Sequence, residues 1–472
     1  MPSTVAAQCG EVDVAYYVFL FHLVCVFLLV YHAHSPSYKQ FAGSLVHPHI
    51  IFAIISMFFS AEFLYVAESP ELIDLAGANV TASTNDIVVC YSYYVSMFAA
   101  AVTGVTVAGL FGPRDRVGRR RAPEPPPQPG ELRMSRIFMV ATLAACAPAV
   151  LVLSAHLGEL LAGDTTFQLY MRESPLFFIM TGILLPCFAI FLSVRKPWSL
   201  GSIVVTIPTL VVLFLSGTRT NVVYGVIVIL AAAVANGVRL SALWMIPILP
   251  TLAWFLASSR YFLREGWQQF GSYDDFVNSS GGYFSLFFDS GEIGMAKAFT
   301  NVVLLRDQLP WGAFDSVLGM IMFPLPRSYF TSKPLGASAY FTQELAPLRW
   351  LQTKSEITIT GYGDLFLSFG LSGTLVCVFV LAFVWQRGCL WAVNGPRSRS
   401  VLWVPFLIFW DFLFIRTDLY NLASFVWPFV VVLAAYQLLL IGSQKNDRDT
   451  KRISLHAIQS ARPPTARRRM IP

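Results

Sequence analysis

Residues 361–385 read GYGDLFLSFGLSGTLVCVFVLAFVW. One acid, Asp364, stands near the start, and the twenty-one residues after it carry no charge. A run of this length and polarity matches the roughly 20 residues an α-helix needs to cross a bilayer. It lacks the alternation of a membrane-spanning strand. The segment therefore reads as a spanning helix with a carboxylate at its mouth.

The pattern recurs along the chain. Of 472 residues, 56% are hydrophobic and only 13% are charged, with a mean hydropathy of +0.60. That balance excludes an ordinary soluble globule. Apolar runs at 15–32, 48–66, 88–111, 137–162, 176–193, 200–216, 221–237, 241–258, 362–385, 400–416 and 422–442 predict about eleven transmembrane helices. The fold class expected is an all-α, polytopic integral membrane protein. The seven cysteines lie mostly inside these runs without paired spacing, so they read as small core residues and not as a disulfide or metal framework.

Arginine placement orients the runs, because basic loops stay in the cytoplasm. The stretch 112–136 carries seven arginines, and 194–199, 385–400 and the tail from 443 are also basic. These four agree on one threading, N-terminus outside and C-terminus inside. The first fourteen residues hold Glu11 and Asp13 and no basic residue, so no signal-peptide n-region precedes the first run. The expected organisation is N-terminal spans in 1–111, a Pro/Arg-rich cytoplasmic linker in 112–136, and central spans in 137–258. A large extracytoplasmic loop follows in 259–361, then C-terminal spans in 362–442 and a disordered basic tail in 443–472. The linker and tail fix orientation and touch anionic lipid headgroups; nucleic acid is not an expected partner.

The loop 259–361 is far longer than a usual connection and should be a folded element with a function. Within it, DSGEIGMAKAFTNVVLLRDQLP, beginning at Asp289, and FDSVLGMIMF, from Phe314, predict two helices lying along the membrane surface. Cations on the outer side oppose the usual bias: Arg172, Arg219, Arg260, Arg264, Arg306, Arg327, Arg349, Arg416, Lys297, Lys333 and Lys354. Arg219 and Arg416 sit in short turns between spans. Arg327 and Lys333 sit in FPLPRSYFTSKP (323–334), where proline stiffness lowers the entropy lost on gripping an anion. Guanidinium groups pair two phosphate oxygens at once, so these residues suit a diphosphate held without metal. The carboxylates of interest are Glu356, Asp364, Asp315 and Asp411; the last lies within a span and should have a partner such as Arg219 or Arg416.

Three segments in this order resemble the Wzy-type polymerases of bacterial surface polysaccharides, also described as oligosaccharide repeat unit polymerases. They are SGTRTNVVYGVIVIL (216–230), FPLPRSYFTSKP (323–334) and GYGDLFLSFGLSG (361–373). The matching residues are Gly217, Thr218 and Arg219, then Pro326, Arg327, Lys333 and Pro334, then Asp364, Phe366, Phe369, Gly370 and Gly373. The family position matched by Asp364 is more often Glu. The resemblance covers about 200–440 and implies a multi-spanning glycosyltransferase of GT-C-like architecture in the bacterial cytoplasmic membrane, with its active site facing outward. It implies a polyprenyl-diphosphate-linked oligosaccharide as substrate and neither cofactor nor metal. Asp364, Glu356, Arg327 and Arg219 would be catalytic, with Arg219, Arg264, Arg327, Lys333, Arg416 and Tyr362 binding diphosphate and sugar. A chain-length regulator and a flippase would be its partners.

Other signals are weaker. YDDF (273–276) could pair carboxylates on a metal, but adjacent loop acids are common. His32, His34, His47 and His49 lie on an inner loop and read as solvated. Two other classes stay open. A ligase handing glycan to another acceptor is disfavoured because 259–361 contains no histidine. A lipid-linked-oligosaccharide flippase or transporter is disfavoured by the absence of an internal helix repeat.

Overall fold

The computed structural model describes residues 2–68, 82–111, 129–155, 175–215, 219–241, 272–279, 295–325, 328–353 and 356–460. No strand occurs among them; a single bridge joins Ser44 and Ser241. The helices are α1 (Pro2–Ala33), α2 (Pro48–Glu68), α3 (Thr84–Leu110), α4 (Pro129–Ala155), α5 (Pro175–Val194), α6 (Leu200–Leu215) and α7 (Arg219–Ala235). Five short helices follow: α8 (Tyr273–Ser279), α9 (Met295–Leu305), α10 (Asp315–Ile321), α11 (Ala337–Leu345) and α12 (Pro347–Thr353). Three long ones close the chain: α13 (Gly361–Asn394), α14 (Arg397–Arg416) and α15 (Leu419–Ser460).

Among the described residues six helical segments are long and apolar enough to cross a membrane, in α1, α2, α3, α13, α14 and α15. Gly182–Val194, Leu200–Leu213 and Val222–Ala235 are shorter apolar helices. This is an all-helical, multi-pass membrane protein. Ten of the eleven expected runs fall on helices, and 242–258 lies outside the described residues. Helices suit these sequences because hydrocarbon offers no partner for an open backbone N–H or C=O. The same surroundings tolerate Pro186, Pro208, Pro405 and Pro428 inside helices.

The bundle is tight where small residues let backbones meet. A Cβ added at Gly104 of α3 would fall 2.4 Å from the Phe379 carbonyl of α13, and one at Gly361 would fall 2.5 Å from the Phe414 carbonyl of α14. One end of the bundle joins the 34–47 turn to the end of α7 through Leu45 N–H to Leu240 O, 2.8 Å. It also joins α14 to Arg195 and α13 to Phe111, through Arg397 Nη2 to Arg195 O (2.6 Å) and Arg387 Nη1 to Phe111 O (2.7 Å). At the opposite end stand the short helices α9–α11, the first turn of α13 and the α14–α15 turn.

Three local differences from expectation have physical reasons. Helix α9 does not lie on the surface: Phe299, Val302 and Leu305 are buried, and Glu62 of α2 accepts the N–H groups of Met295 and Ala296 at 3.0 Å each. A buried carboxylate thus serves the open donors of this helix start. His47 and His49 are not solvated but fully buried, against Tyr38, Gln386 and Trp385. Helix α15 continues past 442 to Ser460, through a stretch whose sequence from 443 to 460 contains neither proline nor glycine, the residues that most oppose a helix.

Candidate functional site

The turn between α14 and α15 gathers three stretches that the sequence keeps apart. Asp418 caps α15: its Oδ1 accepts the N–H of Asn421 at 2.7 Å. Its Oδ2 accepts the N–H of Ser338 at 2.7 Å, fastening the start of α11 to the same turn. Asp364, in the first turn of α13, reaches the next amide, with Oδ2 accepting the N–H of Leu419 at 2.9 Å and Oδ1 accepting the hydroxyl of Ser316 on α10. Asp364 and Asp418 are both fully buried, and all four of their oxygens are engaged. Glu356 completes the group, its Oε2 accepting from the Asn421 amide at 3.0 Å.

The electrostatics separate Glu356 from its neighbours. Burial raises the Asp418 carboxyl above the ordinary aspartate range, against backbone hydrogen bonds from Ser338 and Asn421 that lower it. Burial also raises Glu356, the nearby Asp418 charge adds to this, and the Asn421 amide opposes it. Yet Glu356 is only half-buried. It is the member of the trio that combines partial exposure with a raised affinity for protons.

Lys333, near the end of the FPLPRSYFTSKP stretch, packs on the same turn. Lys333 is 6% exposed and donates to the carbonyls of Phe323 at 2.8 Å and Leu325 at 3.0 Å, closing a loop from 323 to 333. Its ammonium also lies 5.3 Å from the ring centres of Phe323 and Tyr420. Gly336 lets this loop approach, since a Cβ there would meet the Tyr420 ring at 3.1 Å. Leu419, Tyr420 and Asn421 therefore receive Asp364, Lys333 and Glu356 respectively.

The GYGDLFLSFGLSG stretch acts as a platform for the outer segment. Trp311 Nε1 donates to Ser368 at 3.1 Å, and the Arg306 guanidinium lies 5.6 Å from the Phe366 ring centre. Gly370 has φ 66° and ψ −174°, which breaks α13 into two pieces, and a Cβ there would sit 3.4 Å from Arg306 Nη2. This glycine is required by its backbone, a region that other residues avoid.

The remaining predicted residues fall elsewhere. Arg264 and Arg327 lie outside the described residues. Arg219 is the first residue of α7, and nothing of its side chain is described. Arg416 ends α14 with its guanidinium 5.7 Å from the Phe412 ring centre. Tyr362 packs on Phe414 at 5.1 Å and Tyr94 at 5.7 Å between ring centres. YDDF begins α8, where Ser272 and Asp275 form a cap: Asp275 N–H to Ser272 Oγ at 3.1 Å and Ser272 Oγ to Asp275 Oδ2 at 2.7 Å. Among the described residues no group of three His, Cys, Asp or Glu could hold a metal ion.

Sequence reasoning missed Asp418, Asn421, Ser316 and Ser338. A signal for the first two existed: Asp418-x-x-Asn421 before an apolar run is a helix-start spacing. Comparison with family models, with curated proteins and with solved structures found no match.

Proposed function

We propose that the chain is a polymerase of a bacterial surface polysaccharide. It crosses the cytoplasmic membrane about eleven times, N-terminus outside, with the α14–α15 turn facing the exterior. The reaction transfers the growing glycan from polyprenyl diphosphate to the end of a new lipid-linked repeat unit. The acceptor hydroxyl oxygen bonds to the anomeric carbon, the bond from that carbon to the diphosphate oxygen breaks, and the electron pair leaves with the diphosphate. Glu356 receives the hydroxyl proton. Arg327 and Arg219 stabilise the departing diphosphate, with Arg416 and Arg264 in support. Asp364 and Asp418 are positioning residues, since every oxygen they have is occupied by a donor.

One observation carries this reading: Lys333, Glu356 and Asp364 all meet on Leu419–Asn421. A carboxylate with raised proton affinity, together with Arg327 six residues before Lys333 in the chain, supports acid–base glycosyl transfer from a diphosphate leaving group. The test supplies the purified protein with polyprenyl-diphosphate-linked repeat units in the absence of divalent cations. A ladder of products is expected, lost in Arg327→Ala and Arg219→Ala and slowed about 10²- to 10⁴-fold in Glu356→Gln. A single transfer to a foreign acceptor assigns a ligase instead. A reporter fused after residue 330 that proves cytosolic removes the proposal altogether.

A further inference from the structure

The second half of α13 leaves one face uncovered. Val376, Val380, Val384 and Trp391 are 48–65% exposed, and at about 100° per residue these four and Arg387 fall within roughly 80° of one another around the helix axis. Val378, Trp385 and Cys389, on the other side, are buried. The exposed row changes character at Arg387. No residue from 365 to 386 is charged, and at about 1.5 Å per residue that run measures roughly 33 Å, close to the thickness of the hydrocarbon core. Arg387 therefore stands where the apolar layer ends.

A second guanidinium lies beside that boundary. Arg387 is exposed, and its bond from Nη1 to the Phe111 carbonyl at 2.7 Å engages one donor of its fork. Arg399, in the first turn of α14, lies over Trp391, 4.4 Å from its ring centre, one helical turn beyond Arg387 on the same face of α13. No carboxylate among the described residues pairs with either arginine. The sequence that follows Phe111 is itself cationic, with Arg114, Arg116, Arg119, Arg120 and Arg121 against Asp115 in 112–121. An apolar row that runs into guanidinium groups and an interfacial tryptophan has the layout of an acyl chain joined to a phosphate headgroup. An acidic protein segment would match the cations and leave the valines uncovered.

We propose that this face of α13, together with Arg387 and Arg399, binds an anionic phospholipid. The phosphate pairs with the two guanidinium groups, and an acyl chain lies along Val384, Val380 and Val376. Arg387 is tied to the end of α3 and Arg399 belongs to α14, so the bound lipid fastens three helices at this end of the bundle. The site lies at the opposite end of α13 from Asp364 and does not depend on the glycosyl-transfer reading.

The experiment uses the full chain in detergent and follows lipid binding by native mass spectrometry, with phosphatidylglycerol titrated against phosphatidylcholine of the same acyl chains. The first phosphatidylglycerol should bind about tenfold more tightly, two cations acting together. A photoactivatable diazirine on its acyl chain should label the 376–391 stretch. Arg387→Gln combined with Arg399→Gln should abolish the preference and leave phosphatidylcholine binding unchanged. Arg119→Gln, Arg120→Gln and Arg121→Gln together should leave the preference in place. Equal binding of the two lipids, a preference that survives the double variant, or one abolished by the triple variant overturns the proposal. Displacement of the lipid by soluble glycerol phosphate at equal concentration assigns a free-phosphate site and overturns it too. Should the double variant not fold, Arg399→Gln, which keeps the bond to Phe111, and the labelled stretch of the unaltered protein decide it.

Discussion

At the end of the bundle that carries 295–360, Asp364 and Asp418 are wholly buried, and each oxygen accepts a hydrogen bond from a backbone amide or a serine hydroxyl. At the other end His47 and His49 are as deeply buried, yet His47 Nε2 and His49 Nδ1 have no hydrogen-bond partner. His49 Nε2 keeps a hydrogen bond to Gln386 Oε1 at 2.7 Å, and both imidazoles pack on rings, with His47 4.3 Å from Tyr38 and His49 5.3 Å from Trp385 between centres. A buried acid among helix starts is built into the chain path, because open N–H groups need acceptors and the dipole favours negative charge. Burial is the main reason the His47 imidazole stays neutral, and the neighbouring His49 and His34 add to it. The acid end should therefore fail when hydrogen bonds are cut, and the histidine end chiefly when a proton arrives.

The largest expected effect follows from removing the acid that holds two helix starts. Asp418→Ala leaves the amides of Ser338 and Asn421 without acceptors and should lower stability by about 2–4 kcal/mol. Asp418→Asn keeps a capping oxygen and should lose less. Denaturant unfolding in detergent measures both, and equal stability of the two variants would break the contrast with the histidine end. Loss of Asp418 also frees Asn421 from its place beside Glu356, so product ladders should shorten in the same order.

Next in size is the hinge in α13. Gly370→Ala places a Cβ where φ is 66° and ψ is −174°, and should cost about 1–3 kcal/mol. Adding Arg306→Ala relieves the contact at 3.4 Å but not the backbone strain, so the double variant should recover only part of the loss. Full recovery would show that crowding, and not conformation, sets the requirement for glycine.

How far these features could be read from sequence depends on range. Hydropathy locates the spans because the bilayer imposes a length on each one separately. GYGDLFLSFGLSG was legible as a special stretch, since an acid and four glycines interrupt a spanning pattern. The meeting of Asp364 with Leu419, 55 residues away, was not, because it is set by how α13 and α14 pack. The docking of α9 was hidden for the same reason: Glu62 lies 233 residues before Met295. His47 and His49 were misjudged as solvated because they lie in and beside a short polar turn that looks hydrophilic until Tyr38 and Trp385 close over them.

The smallest effect is the one that most directly opposes the two ends. Burial raises the Asp418 carboxyl from 3.8, so the folded chain keeps a proton that the unfolded chain has released. Its contribution is fully present below about pH 3.8 and is lost as pH rises through the raised folded value. Burial lowers the His47 imidazole well below 6.5, so the folded chain refuses a proton that the unfolded chain accepts. That contribution is present above about pH 6.5 and is lost as pH falls. Between these limits the two slopes oppose each other, and the unaltered protein should show a shallow profile. Asp418→Asn should unmask a stability that rises with pH, and His47→Gln one that falls. Unfolding midpoints taken across this window for both variants test the pair together. Slopes of the same sign would mean that other groups, Glu356 first among them, govern the pH response at both ends.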